Sequence, residues 1–157
     1  MAVIQTTRFG QINVADESVL HMADGMLGFE QCRRYVLLED KPDTPLKWLQ
    51  SVEEPGLAFI VVNPLDFVPD YNFELADDDA EMLDLSSPEQ AVVLTTVTID
   101  SNEEAVTTNL LGPIVINSAT LAAKQVVLQD ERYGTKHLIG RNTGVRDDAR
   151  LATAKAA

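Results

Sequence analysis

The chain has 157 residues and a mass of 17.2 kDa, the size of one domain with a substantial core. Hydrophobic residues make up 45% and charged residues 24%, which excludes a largely disordered chain. Cys32 is the only cysteine, so an intramolecular disulfide and a paired-cysteine metal site are excluded. The sequence has no apolar run of the ~18 residues that a membrane helix needs, and its start lacks a secretory pattern. We therefore expect a cytoplasmic protein that does not enter a membrane.

The charge is unevenly distributed along the chain. The formal net charge is −13, and residues 48–123 carry 14 acidic side chains without one Lys or Arg. Affinity for nucleic acid comes mostly from Lys and Arg at phosphates, so we expect no direct binding to nucleic acid. An acidic surface attracts a basic protein partner, or else it serves only solubility.

Short apolar and β-branched runs separated by turn residues predict strands. In chain order these are residues 35–38, 46–50, 57–62, 71–75, 91–99, 106–110, 114–116 and 125–128. Residues 71–75 alternate apolar and polar side chains, which is typical of a strand with one wet face. Residues 77–83 predict one short helix with an aspartate at its N-cap and acids in its first turn.

Many short strands without alternating long helices predict an all-β, mainly antiparallel fold. We expect a small closed β-barrel-like domain with one or two short helices. Residues 1–139 are assigned to this domain. Residues 140–157 are assigned to a C-terminal tail that is a frayed helix or disordered.

Catalytic and metal-binding patterns are not visible. His21 and His137 stand far apart in the sequence. We expect His21 at a solvent-facing strand position and His137 on a terminal strand or loop. Adjacent aspartates at 77–79 point in different directions on a helix, so they cannot all bind one ion. Cys32 lies beside two arginines, which would favour a thiolate, but a semi-buried structural cysteine fits better. We expect no enzyme, no metal and no cofactor.

Three segments in order carry a family resemblance. Residues 24–30 read DGMLGFE, residues 46–64 read LKWLQSVEEPGLAFIVVNP, and residues 107–117 read TTNLLGPIVIN, followed by KQVVL at 124–128. Together they resemble the FliW family of flagellar assembly factors over roughly residues 3–139. The same motifs fit a purely structural role, because Trp48 suits a core anchor. We expect six further side chains from these motifs in the core: Phe59, Ile60, Val61, Ile114, Val115 and Ile116.

The resemblance implies a small β-barrel-like protein that works by exchanging partners and not by catalysis. It implies binding to newly made flagellin in the cytoplasm. It further implies that, when flagellin is exported, the freed factor binds CsrA, a small dimeric RNA-binding translational repressor. This binding would relieve repression of flagellin translation. The alternative is a small ligand-binding or catalytic β-barrel with a pocket that the sequence does not reveal.

A candidate partner surface follows from the charge pattern. Residues 66–90 hold nine acidic side chains and no basic one. CsrA must be basic enough to hold RNA, so this surface would steer its approach. The alternative is a solvated surface without a partner. The partner-binding candidates are Asp70, Glu74, Asp77, Asp78, Asp79 and Glu81.

Overall fold

The computed structural model describes residues 2–39, 44–102 and 104–141. These residues contain one α-helix, α1 (Asp77–Met82), which lies between the sixth and seventh strands in the chain. Short 3-10 turns lie at Asp16–Ser18, Pro64–Asp66 and Pro88–Gln90. The strands are β1 (Ala2–Thr6), β2 (Gly10–Val14), β3 (Val19–Met22), β4 (Arg34–Leu38), β5 (Lys47–Ser51), β6 (Ala58–Val62), β7 (Ala91–Asp100), β8 (Ala105–Thr108), β9 (Ile114–Asn117), β10 (Ala122–Gln125) and β11 (His137–Arg141).

Seven strands close into a barrel in the order β7-β6-β5-β4-β3-β10-β9, and β9 pairs back with β7. Neighbouring barrel strands are antiparallel except β3 and β10, which are parallel. The ten-residue β7 belongs to two sheets. Its first half pairs with β9, starting at Ala91↔Asn117, and its second half pairs with β8, ending at Asp100↔Ala105. The predicted all-β, mainly antiparallel barrel is therefore confirmed.

The barrel interior is filled by side chains from all seven strands. Tyr35, Leu49, Val61 and Ile114 have no exposed surface. Burial of such side chains contributes roughly 1.5–3 kcal/mol each for the aliphatic ones, so this cluster is the main stabilising core. The free Cys32 lies in the same cluster and is buried, as expected for a structural cysteine.

Three further clusters cover the outside of the barrel. The β1–β2 hairpin packs on β3 and β4, and the β8–β11 arm packs over β5 and β6. Neighbouring residues therefore enter different cores: Trp48 packs outside under the arm, and Leu49 packs inside. Both faces of the central strands are buried, which explains why their sequences are continuous apolar runs rather than alternating ones.

Most predicted elements are confirmed within one or two residues, and α1 lies where the short helix was expected. Its expected aspartate N-cap is wrong, because Ala76 holds that position without a side-chain cap. Five of the six motif side chains expected in the core are buried. Phe59 is only partly buried, and it packs edge-on against Phe29 with ring centroids 5.5 Å apart.

Two strand predictions, for residues 125–128 and 71–75, are wrong. The expected strand at 125–128 is instead β10, which ends at Gln125. Val126 donates its N–H to Pro113 O at 2.9 Å and Leu128 donates to Leu111 O at 2.8 Å, but proline has no N–H to return, so the regular strand ladder is interrupted there. The expected strand at 71–75 has no ladder partner among the strands of the described ranges.

The C-terminal assignment is tested only at its start. Gly140 and Arg141, which were assigned to the tail, end strand β11. Residues 142–157 lie outside the described part of the chain. Within the described ranges, no helix has the length and hydropathy needed to cross a membrane.

Candidate functional site

The segment that carries the predicted partner residues lies on the outside of the barrel. It begins after Asn63, whose side-chain oxygen accepts from Leu65 N at 3.0 Å and starts a 3-10 turn. From there the chain crosses β7, β9 and β10, where Phe73, Leu75 and the buried Leu83 complete an outer core around Val115. The segment is held on the barrel by apolar contact on one side and presents its acids on the other.

Tyr71 anchors the start of this segment. Its ring is 6% exposed, and its hydroxyl donates to Leu110 O at 2.7 Å. The ring meets Tyr133 edge-on at 4.7 Å and Phe73 at 5.6 Å. Burial raises the pKa of Tyr71, so the hydroxyl remains a donor at every physiological pH. Removing this hydroxyl would leave Leu110 O without its donor.

Asn72 is clamped through its backbone. Its N–H donates to the Tyr133 hydroxyl at 3.1 Å, and its carbonyl accepts from the same hydroxyl at 3.0 Å. Arg132 also reaches the Asn72 carbonyl at 3.4 Å and forms a two-point ion pair with Asp130. One tyrosine hydroxyl therefore pairs both backbone groups of Asn72, on the edge of this run that faces Tyr133.

The end of the segment is fixed by Asn117, which is 1% exposed at the end of β9. Its side-chain amide donates to Leu83 O at 2.8 Å and to Asp84 O at 3.2 Å. Its oxygen accepts from the N–H groups of Ala119 and Thr120. This one buried side chain ties the C-terminus of α1 to the barrel wall, a link that the sequence analysis did not identify.

The six predicted partner residues share this outer segment but differ in exposure. Asp79 is half-buried and accepts a 2.6 Å hydrogen bond from Lys124 Nζ. Asp79 is therefore already paired with a basic residue of the same chain. The other five are exposed: Asp70, Glu74, Asp77, Asp78 and Glu81.

Basic side chains from later in the chain lie beside the acidic segment 66–90 in the folded protein, although the segment itself contains no Lys or Arg. Lys124 comes from β10, and besides Asp79 it lies 3.8 Å from Asp24 Oδ2. The hydrogen bond to Asp79 is the main reason that the pKa of Lys124 is raised. Arg132 approaches from the other end, near Asn72. The acidic surface is therefore partly compensated at both ends, and its five exposed acids form no ion pair with the residues that the structure describes.

An apolar groove of about 760 Å³ adjoins this acidic face. Residues 71–75 form one wall, and residues 85–88 and the 3-10 turn at Pro64 form others. Its floor is Val115 of β9 with Ala91 and Val93 of β7. Leu65 is 51% exposed at the groove wall. Sequence analysis missed this groove, because its walls and floor come from separated parts of the chain.

The family motifs meet at a different place. Gln125 accepts from Leu27 N at 3.0 Å and donates to Gly112 O at 3.0 Å, which joins the first and third motif segments. Asn109 accepts from the N–H groups of Leu111 and Gly112. A second hollow of about 440 Å³ lies beside them, between β6 and β7. These contacts support the interpretation that the motifs maintain the fold.

The remaining titratable candidates are dispersed. His21 is exposed on β3 as expected, and His137 lies on β11, the last of the described strands. Within the described ranges, His, Cys, Asp and Glu side chains form no group of three that could hold a metal ion. The arrangement that remains is an exposed acidic face beside an apolar groove.

The comparisons with known proteins agree with one family. A family model described as FliW protein matches residues 3–139. The flagellar assembly factor FliW of Geobacter sulfurreducens is 43% identical over 134 residues, covering 85% of this chain and 84% of that protein. The Bacillus subtilis protein of the same name is 41% identical over 138 residues, covering 88% and 96%. A crystal structure of a flagellar assembly factor FliW matches with a TM-score of 0.81 and 31% identity, covering 88% of this chain and 96% of that one. The chain therefore belongs to the FliW family of flagellar assembly factors.

Proposed function

We propose that this flagellar assembly factor acts in the cytoplasm by exchanging two protein partners, without catalysis. It binds newly made flagellin, and after flagellin export the freed factor binds CsrA. Binding antagonises CsrA and relieves its repression of flagellin translation. The proposal names flagellin and CsrA as partners and excludes nucleic acid and membranes.

The exposed acidic face is the single observation that supports this proposal best. Five of the acids proposed to meet CsrA point to solvent, and none of Asp70, Glu74, Asp77, Asp78 and Glu81 has an ion pair among the described residues. A basic RNA-binding protein is attracted to such a face at long range. Solvent-facing acids also repel RNA, so CsrA would be met through a protein surface and not by imitation of a nucleic-acid ligand.

The flagellin step is tested by size-exclusion chromatography of the purified chain with monomeric flagellin at about micromolar concentration. The expected result is co-elution in a one-to-one complex at an earlier volume than either protein. An unchanged elution volume for both proteins would overturn the flagellin step.

The exchange step is tested by competition. Labelled CsrA is first bound to the chain, and unlabelled flagellin is then added in increasing amounts. The proposal expects CsrA to be released as flagellin binds. CsrA retained in a three-protein complex at saturating flagellin would contradict exchange while leaving each binary interaction in place.

A further inference from the structure

The run from residue 72 to residue 76 has the side-chain pattern of a strand but no strand beside it. Phe73 and Leu75 are half-buried, whereas Asn72, Glu74 and Ala76 are exposed. Among the described residues, the N–H and C=O groups of residues 73–75 form no hydrogen bond. Unpaired peptide groups along an exposed strand-like edge are a template for pairing with another chain.

The direction of the free peptide groups follows from Asn72. Both of its backbone groups point to Tyr133, and in an extended chain alternate residues present their peptide groups to opposite edges. The N–H and C=O groups of Phe73 and Leu75 therefore point to the edge away from Tyr133. That edge can supply four hydrogen bonds to an added strand.

The groove can receive the side chains of a strand added to this edge. Every residue from 71 to 75 lines it, and its other lining residues are mostly apolar. Five residues of extended chain span about 16 Å. A strand lying about 4.8 Å from this run would present alternate side chains to the groove, whose lining includes the apolar Val93 and Val115.

Acidic side chains near the groove favour a positively charged occupant. Glu74 lines the groove and is exposed, and the exposed Asp84 and Glu89 adjoin in sequence the lining residues 85–88. An added strand has one row of side chains facing the groove and the other facing solvent. Lys or Arg in the solvent row would meet this acidic rim, whereas Asp or Glu would be repelled.

We propose that the groove binds an extended peptide segment that pairs with residues 73–75 as an added strand. The segment presents apolar side chains to the groove and Lys or Arg to the rim. This inference rests on the proposed function, since it gives the mode by which a protein partner is held. A helical occupant would leave the free peptide groups of Phe73 and Leu75 unpaired, so the strand mode uses more of the surface.

The binding experiment uses a fluorescein-labelled peptide of about seven residues that alternates Lys and Val. Two further peptides carry N-methyl groups, one on its valines and the other on the internal lysines. A strand pairs through one edge, so one of the two methylated peptides should bind at least about tenfold more weakly than the parent. The other should bind within about threefold of the parent. Equal affinity of all three peptides, or no binding by the parent, would overturn the inference.

Hydrogen exchange locates the pairing without any change to the protein. On addition of the parent peptide, the amide protons of Phe73 and Leu75 should exchange at least about tenfold more slowly. Unchanged exchange at both amides with peptide bound would place the peptide elsewhere and refute the strand mode.

A matched pair of variants separates the groove from general charge. Leu65→Lys adds a positive charge at the groove wall, and Leu138→Lys adds the same charge on β11 at a residue of similar exposure, 49%. We expect Leu65→Lys to weaken peptide binding at least about tenfold and Leu138→Lys less than about twofold. Equal effects of the two variants would contradict the groove as the binding site.

Binding of flagellin and CsrA is measured on the same wild-type preparation. Peptide binding without binding of either protein would refute the proposed function and leave the strand mode in place. Binding of either protein without peptide binding would do the reverse.

Discussion

Lys124 Nζ of β10 donates a 2.6 Å hydrogen bond to Asp79 Oδ1 of α1, joining residues 45 positions apart. Both side chains are mostly buried, with 26% and 19% of their surface exposed. This pair divides the acidic surface into two kinds of carboxylate. Asp79 stabilises the fold, and its exposed neighbours are free to meet a partner.

Asp79→Asn should therefore destabilise the protein, whereas Asp78→Asn should not. Loss of the ion pair is expected to lower the free energy of unfolding by about 1 kcal/mol or less. The exposed Asp78 should change it by less than about 0.5 kcal/mol. Urea denaturation at neutral pH measures both variants. A larger effect at Asp78 than at Asp79 would contradict this division.

The exposed acids should govern the encounter with CsrA. Changing Asp77, Asp78 and Glu81 together to Asn, Asn and Gln should slow association at low salt and flatten its salt dependence. Screening over about 8 Å at physiological ionic strength should reduce the difference from wild type. Stopped-flow association at two salt concentrations provides the measurement.

Asp16 and Glu17, exposed in the turn before β3, form the control when changed to Asn and Gln. An association rate and salt slope equal to wild type in the triple variant would remove α1 from the CsrA surface, provided that flagellin binding is intact.

Asn117→Ala should be among the more damaging single changes in this region. It leaves the buried Leu83 carbonyl and the N–H of Ala119 without partners. An expected loss of about 2–3 kcal/mol follows from the cost of unpaired buried groups. Asn102→Ala, at an exposed turn after β7, should change the free energy of unfolding by less than about 0.5 kcal/mol. Chemical denaturation of the two variants tests the difference. Equal stabilities would refute the role of Asn117 in fixing the end of this segment.

Two glycines of the first family motif should differ sharply when changed to alanine. Gly25 has φ +66°, and a Cβ there would lie 2.7 Å from Glu30 Cα and 2.8 Å from Phe29 O. Gly28 has φ +88° with nothing within 4 Å of its Cβ position. We expect Gly28→Ala to cost about 1 kcal/mol for the backbone alone. Gly25→Ala should cost at least about 2 kcal/mol, since it adds a backbone clash. Thermal unfolding of both variants compares them, and an equal loss would be inconsistent with the clash.

Glu53 should contribute stability that depends on acid pH. Burial alone would raise its pKa, but hydrogen bonds from the Arg34 backbone and side chain outweigh this and lower the pKa below the ordinary 4.5. The contribution is therefore complete above pH 4.5 and is lost as pH falls through the lower folded-state pKa. Glu53→Gln should cost about 1 kcal/mol or less at neutral pH, because Arg34 is largely exposed.

The difference between Glu53→Gln and wild type should close as the pH is lowered below the folded-state pKa. Glu54→Gln makes the same charge change one residue away and serves as the control. Urea denaturation across the acid range measures both. A difference that widens on acidification would reverse the sign worked out for Glu53.

The sequence by itself determined most of the strands, the family and the acidic character of residues 48–123. Strands such as β6 and β9 were readable because both of their faces are buried, which makes them continuous apolar runs between turn residues. Residues 71–75 show the limit of that reasoning. Their alternation correctly indicated one wet face, but whether a neighbouring strand exists depends on long-range contacts. None of the described strands pairs with this run, and the backbone of Asn72 is bonded to the hydroxyl of Tyr133 instead.

Tertiary structure alone decided which acids are available and what lies beside them. Lys124 stands outside the acidic stretch in sequence, yet barrel closure brings β10 against α1 and commits Asp79 to an ion pair. The groove arises in the same way, from separated chain segments, and its floor joins residues of β7 and β9, which are paired in the barrel. Local sequence patterns indicate which side chains face water and which face the core. The identity of spatial neighbours is set by which strands close the barrel, and no local pattern encodes that pairing.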